Sequence, residues 1–224
     1  KVKVTVMYRS REMEHREFGY RQLEHVTELL SDIANVENPP RMEGRFLSMI
    51  LVPTREAIAE MAHSHGVPVI VDNTVPTPCL CRPFEHGCDI VVHSLTKYMG
   101  GHGTTIGGVL VDSGRFPWSE HKERFRRLNE PDVSYHGVVY TEALGEAAFI
   151  GRARVVPLRN MGAAISPFGS FLVLQGIETL PVRMDRHCEN AAAVAGYLQG
   201  HSQVEWVRYA GLPDHPDRPL VDKY

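Results

Sequence analysis

From Pro53 onward the apolar positions fall into two alternating periods. After Thr54, the residues Ile58, Met61, Ala62 and His65 recur at i, i+3, i+4 and i+7, which predicts a helix capped by Thr54 and stopped at Gly66. Residues 67–71 then form a short unbroken apolar run, as a strand covered on both faces requires, and the run ends in Asp72-Asn73-Thr74. A loop with Pro76, Pro78 and Pro83 leads to a second run, 90–92, ending in His93-Ser94. After Gly100-Gly101-His102-Gly103 comes a third, 106–111. Helix and strand in this succession, with polar residues where strands end, predict an α/β sheet.

Further on, Ser119 is placed to cap a charged helix reaching Leu128, and the small-residue stretch 142–152 reads as a second helix. Ser166-Pro167 combines a cap with proline at the first helical position, and Phe168, Phe171, Leu172 and Leu174 follow it. A helix over 188–198, ended by Gly200, and a strand over 204–207 complete the pattern, with a domain boundary expected near Leu180-Pro181. The start of the chain is less regular. Val2, Val4 and Val6 suggest an edge strand and 9–30 a charged helix, whereas 41–51 shows no clear period.

Composition narrows the class without naming a function. The chain has 224 residues, enough for one large domain or for one domain and part of another. A formal charge of -3 gives no electrostatic reason to expect nucleic acid or an anionic membrane as partner. No apolar run approaches the roughly 20 residues that span a bilayer. No signal peptide is read at the start, and the absence of an initial Met suggests a fragment or trimmed chain. The four cysteines are too few for a disulfide framework and predict reduced thiols in a cytoplasmic protein. Cys79, Cys81 and Cys88 cluster near His86 and His93, but a single residue between the first two is shorter than structural zinc spacings, so no metal is expected.

The strand ends carry the candidate chemistry. Asp72 closes one predicted strand, and Ser94, Thr96 and Lys97 follow another. Taken singly, each has a plainer reading. A lysine after a strand is usually solvated, Asp commonly caps a turn, and Ser94, Thr96 and His102 can be ordinary loop residues. Together they supply an amine, an anion and hydroxyls at the carboxyl ends of neighbouring strands, where an open α/β sheet gathers its ligands. A pyridoxal-phosphate site requires that set: an amine for a Schiff base, an anion for the pyridine nitrogen, and donors for the phosphate.

The run Val69-Ile70-Val71-Asp72-Asn73-Thr74, followed by His93-Ser94-Leu95-Thr96-Lys97-Tyr98, resembles the cofactor signature of the Cys/Met-metabolism pyridoxal-phosphate enzymes. Within that family, residues 100–108, Tyr135-His136-Gly137, Ala148-Phe149-Ile150 and Ser166-Pro167-Phe168-Gly169 are similar to the O-acetylhomoserine sulfhydrylase branch. The resemblance runs from about Glu56 to the end of the chain. It implies a fold-type-I large domain, a mostly parallel sheet flanked by helices, over residues 51–180, then the start of a smaller C-terminal α/β domain over 181–224. Residues 1–50 stand apart as a divergent or incomplete N-terminal part.

The resemblance also implies roles. Lys97 would carry pyridoxal 5'-phosphate and shuttle protons, Asp72 would pair with the ring nitrogen, Ser94 and Thr96 would donate to the phosphate, and Thr74 would sit beside the ring. The implied reaction is γ-replacement on O-acetyl-L-homoserine by sulfide or a thiol. Cystathionine synthase, methionine γ-lyase and a catalytically incompetent fragment are the alternatives. A cytoplasmic homotetramer is the implied assembly. The family's upstream phosphate loop and ring-stacking tyrosine have no counterpart before Asp72, and Tyr8-Arg9 and Tyr20-Arg21 receive no role. Its substrate-carboxylate arginine lies beyond Tyr224, and none of Arg183, Arg186 or Arg208 is taken to replace it.

Overall fold

The computed structural model describes residues 2–8, 15–213, 215 and 218, arranged in two compact units. One unit contains residues 1–58 and 185–224; the other contains 59–184.

The first unit is built on an antiparallel sheet of strands β1 (Val2–Met7), β2 (Ala34–Glu43) and β3 (Phe46–Pro53), in the order β1-β3-β2, with helix α1 (Arg16–Leu29) between β1 and β2 in sequence. β1 is an edge strand, as the valine alternation predicts, and the described part of the expected 9–30 helix begins at Arg16. The stretch 41–51, which shows no period, is a hairpin. Glu43 pairs with Phe46 across a two-residue loop, and Gly44 supplies the positive φ (+65°) that such a turn demands. The β2 register slips on both sides of Asn38, in a stretch that includes Pro39 and Pro40, which lack the N–H a regular ladder needs. On β3, Leu47, Met49 and Leu51 alternate inward and pack with Tyr8 and Leu23. The Tyr8 hydroxyl donates to the Arg16 carbonyl (2.7 Å), fixing the start of α1.

Helix α2 (Arg55–Ser64) links the two units in sequence, and its prediction holds: Thr54 Oγ1 accepts from Ala57 N (3.1 Å), and Gly66 at φ +64° ends the turn. Its buried residue, however, is Ala59, while Ile58 and Met61 are exposed.

The second unit carries a three-stranded sheet of β4 (Ile70–Asp72), β5 (Ile90–Ser94) and β6 (Gly108–Asp112), with the short helix α3 (Thr77–Leu80) between β4 and β5. β4 runs parallel to β5, and β6 runs antiparallel to it, so the sheet is mixed. Only the central strand is continuously covered: Ile90 is 0% exposed, against 56% for Ile70 and 43% for Leu110.

The helix expected over 119–128 is replaced by a 3-10 turn at Trp118–Glu120 and the short helix α4 (Arg126–Asn129). Trp118 and Phe125 meet edge to face at 4.9 Å, and Asn129 Nδ2 bonds both of their carbonyls, so the chain folds back where a continuous helix would separate them. The expected helix over 142–152 is also broken. α5 (Tyr140–Leu144) stops at Gly145 (φ +53°) before α6 (Ala148–Ala153) begins, and a π-turn at Arg154–Leu158 around Pro157 precedes α7 (Arg159–Met161). Tyr140 is fully buried in this core with Ile90, Phe116, Trp118, Leu128 and Ala148, and its hydroxyl donates to Asp132 (3.1 Å).

Ser166 caps α8 (Pro167–Glu178) as expected, its hydroxyl accepting from Gly169 N at 3.0 Å. The buried positions are Gly169, Val173 and Gly176, while Phe168, Phe171 and Leu174 are exposed. α9 (Leu180–Gln199) starts well before the predicted 188. Residues 204–207 are irregular, with a bend at Glu205, instead of the expected strand, and no described strand pairs with them.

Candidate active site

The carboxyl ends of the parallel pair β4 and β5 bring the predicted residues to one edge of the sheet. Asp72 pairs in register with Val92, so β5 runs two residues further, to Ser94. Asp72 Oδ1 accepts from Thr74 N (3.0 Å), and Thr74 Oγ1 accepts from Ser94 N (2.8 Å). Asn73 N donates to the Val92 carbonyl (2.9 Å). This chain of bonds locks Asp72, Thr74 and Ser94 together.

Lys97 is exposed in the turn after β5, where Lys97 N donates to Ser94 O (3.3 Å), Gly100 N to Leu95 O (2.9 Å) and Gly101 N to Lys97 O (2.8 Å). The Thr96 hydroxyl accepts from Gly107 N (3.1 Å) and donates to Gly107 O (3.3 Å), closing the loop 97–106 onto the start of β6. The hydroxyls of Thr74 and Thr96 are therefore engaged within the protein. Gly101, at φ +75°, sits in the left-handed region that favours glycine. His102 is exposed, and its Nδ1 lies 2.8 Å from the Gly100 carbonyl.

Local hydrogen bonding keeps the strand-end carboxylate anionic. Hydrogen bonds from the Thr74 side chain and backbone hold the Asp72 carboxyl below its ordinary value, with a smaller contribution from His93. His93 is buried at the end of β5, and that burial pushes its imidazole below the ordinary value, against hydrogen bonding to the Asn73 backbone and the Asp72 charge. Its Nδ1 has no hydrogen-bond partner. Burial raises the Cys88 thiol, which marks it as an inert packing residue. Among the described residues, no group of three or more His, Cys, Asp or Glu is arranged to hold a metal ion.

These residues fit pyridoxal phosphate: an open carboxylate kept anionic, and an open primary amine on the next strand's end. Asn73 is a structural participant that pattern reading passed over. It is 1% exposed and its Nδ2 donates to Cys81 O (2.9 Å), anchoring the loop beyond Asp72. A second polar residue directly after Asp72, following an apolar run, was the available signal. An apolar cavity of about 780 Å³ beside Ile70, Ile90, Leu110 and Trp118 contains none of the predicted site residues.

A helix-flanked sheet with a lysine just past a strand and an aspartate at its neighbour's end is the arrangement of a fold-type-I pyridoxal-phosphate enzyme, here in part. Residues 48–224 match the family of Cys/Met metabolism PLP-dependent enzymes, and the chain belongs to that family. It is 52% identical over 177 residues to a homocysteine synthase of Schizosaccharomyces pombe, covering 79% of this chain and 41% of that one. An O-acetyl-L-homoserine sulfhydrylase of Leptospira meyeri is 49% identical over 176 residues, covering 75% of this chain and 39% of its own. A crystal structure from Campylobacter jejuni, assigned as an O-acetylhomoserine (thiol)-lyase and containing N'-pyridoxyl-lysine-5'-monophosphate, superposes with a TM-score of 0.70 at 38% identity. That match covers 77% of this chain and 42% of the crystallised one. The chain thus spans about two fifths of the length of these relatives.

Residues 1–54 match a different family, the C-terminal domain of translation initiation factor IF-3. The two matches overlap at 48–54, which lies wholly in the first unit, where Met49 and Leu51 are buried in the core. No helix among the described residues is long and apolar enough to cross a membrane.

Proposed function

We propose that this chain carries the lysine-bearing part of a pyridoxal-phosphate enzyme that performs γ-replacement on O-acetyl-L-homoserine, joining it to sulfide or a thiol to give homocysteine or methionine plus acetate. The observation that carries the reading is the placement of an exposed Lys97 in the turn after β5 and of an anionic Asp72 at the end of the adjacent, parallel β4. Bound there, the cofactor supplies an electron sink that stabilises negative charge at the substrate Cα. Lys97 Nζ would hold the cofactor and, when free, would accept and return protons. Asp72 holds the ring-nitrogen proton through a charge-assisted hydrogen bond, a type that contributes about 1.5–3 kcal/mol. Ser94 and Thr96 stand at the phosphate end and Thr74 beside the ring; Thr74 Oγ1 also orders the Ser94 backbone.

The sulfhydrylase reading is supported over a lyase or cystathionine synthase by the names of the relatives above. Residues 51–180 are read as the partial cofactor-binding domain and 181–224 as the start of the smaller one. Assembly as a homotetramer in the cytoplasm is part of the same proposal. A second reading is a fragment that keeps the lysine turn without turning over alone; the open edge strand β4, with Ile70 exposed, favours it.

The test is to add pyridoxal phosphate to the purified chain and record the visible band of the lysine adduct. The band should form in the parent and vanish in Lys97→Ala; an unchanged band in the variant refutes the assignment. Acetate release from O-acetylhomoserine with sulfide, measured against methionine breakdown, separates sulfhydrylase from lyase. In an active preparation Asp72→Asn should lower turnover at least tenfold, and near-parent turnover would remove the role given to Asp72. A band without turnover supports the fragment reading.

A further inference from the structure

The backbone just beyond Lys97 is gripped by one guanidinium. Arg183, in the first turn of α9, donates from Nη1 to Tyr98 O (2.8 Å) and from Nη2 to Met99 O (3.5 Å). The same group donates from Nη2 to Gly176 O (2.7 Å) and from Nε to Thr179 Oγ1 (3.1 Å). Gly176 O is among the last carbonyls of α8; it also accepts from the Thr179 hydroxyl (3.3 Å), and a cation there is favoured by the helix dipole. One planar fork therefore ties the end of a helix to the two residues that follow Lys97.

The packing around this grip is close. A Cβ at Gly176 would run into the Gly100 carbonyl and lie 2.6 Å from Met99 O. One at Gly101 would lie 2.7 Å from the Arg183 guanidinium carbon, and one at Gly100 would lie 2.6 Å from Leu95 O. Three glycines let the helix, the turn and the guanidinium meet without a side chain between them.

We propose that Arg183 is a positioning residue for Lys97: by holding the Tyr98 and Met99 carbonyls against α8, it sets the direction in which the lysine leaves the sheet. This rests on the reading of Lys97 as the cofactor-attaching lysine. Arg183 is not a substrate-carboxylate ligand, because four donor contacts from its three nitrogens already go to the protein. A lysine in its place would offer a point charge and could not span both sides at once.

The test uses the full chain and the variants Arg183→Met, Arg183→Gln and Arg183→Lys, read in two ways. Amide hydrogen exchange without cofactor should quicken at least tenfold at Gly100 and Gly101 in Arg183→Met, while the Val91 and Val92 amides stay within twofold. Borohydride trapping with pyridoxal phosphate, followed by peptide mapping, should show the Lys97 share of the label falling at least threefold, with partial recovery in Arg183→Lys. Unchanged exchange at Gly100 and Gly101 overturns the clamp. Faster exchange with an unchanged Lys97 share overturns the positioning role and leaves a purely structural contact. Should Arg183→Met not fold, Arg183→Gln is judged by the same outcomes. Lys97→Ala is the separate control: if the parent shows no preferential label at Lys97, the cofactor-lysine reading fails, whereas the exchange result still judges the clamp.

Discussion

The two sheets have three strands each, yet they are finished to different degrees. In the first, β3 is paired on both sides, and its inward residues Leu47, Met49 and Leu51 are sealed by Tyr8 and by Leu23 of α1. In the second, β5 is sealed in the same way, but β4 and β6 leave Ile70 and Leu110 largely open. The first sheet uses its loops for turns; the second places the proposed site residues at the last positions of two strands, Asp72 and Ser94, and in the turn after one of them, Lys97. A sheet that closes its own core needs little from outside. A sheet whose outer strands stay open depends on what packs against them.

The sharpest way to break this comparison is truncation on each sheet. Leu47→Ala and Ile90→Ala remove fully covered side chains and should each cost about 2–5 kcal/mol of unfolding free energy. Ile70→Ala, on the open strand, should cost below about 1 kcal/mol. Denaturant melts of the three variants check this, and an Ile70 cost equal to that of Ile90 would mean that β4 is covered in solution.

A smaller effect separates the glycines. Gly44 has a positive φ, and a methyl group added there would meet nothing within 4 Å, whereas Gly176 is crowded by the backbone of 99–100. Gly44→Ala should cost about 1–2 kcal/mol, and Gly44→Asn less, because asparagine tolerates that conformation. Gly176→Ala should cost about 1–3 kcal/mol through overpacking, with Gly176→Asn worse. The order of the Ala and Asn variants in thermal melts, reversed between the two sites, is the expected result.

The smallest effect is in pH. His93 and Asp72 both titrate below their ordinary values in the folded chain, so the unfolded chain binds more protons and stability rises with pH across both windows. The His93 contribution is complete above its ordinary 6.5 and is lost as pH falls through its lowered folded value. The Asp72 contribution is complete above 3.8 and is lost in the same sense below it. His93→Gln should flatten the first part of the stability profile; an unchanged slope below pH 6.5 would remove His93 as its source.

Local chemistry was legible wherever a signal spans a few residues. Thr54 and Ser166 cap their helices because a hydroxyl three positions before an open N–H suffices. Ile90 to Val92 reads as a covered strand because an unbroken apolar run has few other places to go. The 43–46 hairpin was missed because β3 is apolar at nearly every position, which hides its period of two. The helices expected over 119–128 and 142–152 failed because aromatic packing and Gly145 overrode the periodicity.

The sequence alone placed Asp72, Ser94, Thr96 and Lys97 at the ends of strands and put the chain in its family, because strand-end motifs are contiguous. Only the tertiary structure decided that β6 turns antiparallel, that Asn73 anchors the loop after Asp72, and that Tyr98, beside Lys97, is held by Arg183 from 85 positions away. Contacts of that kind depend on which backbones can approach closely in space, and no local period records them.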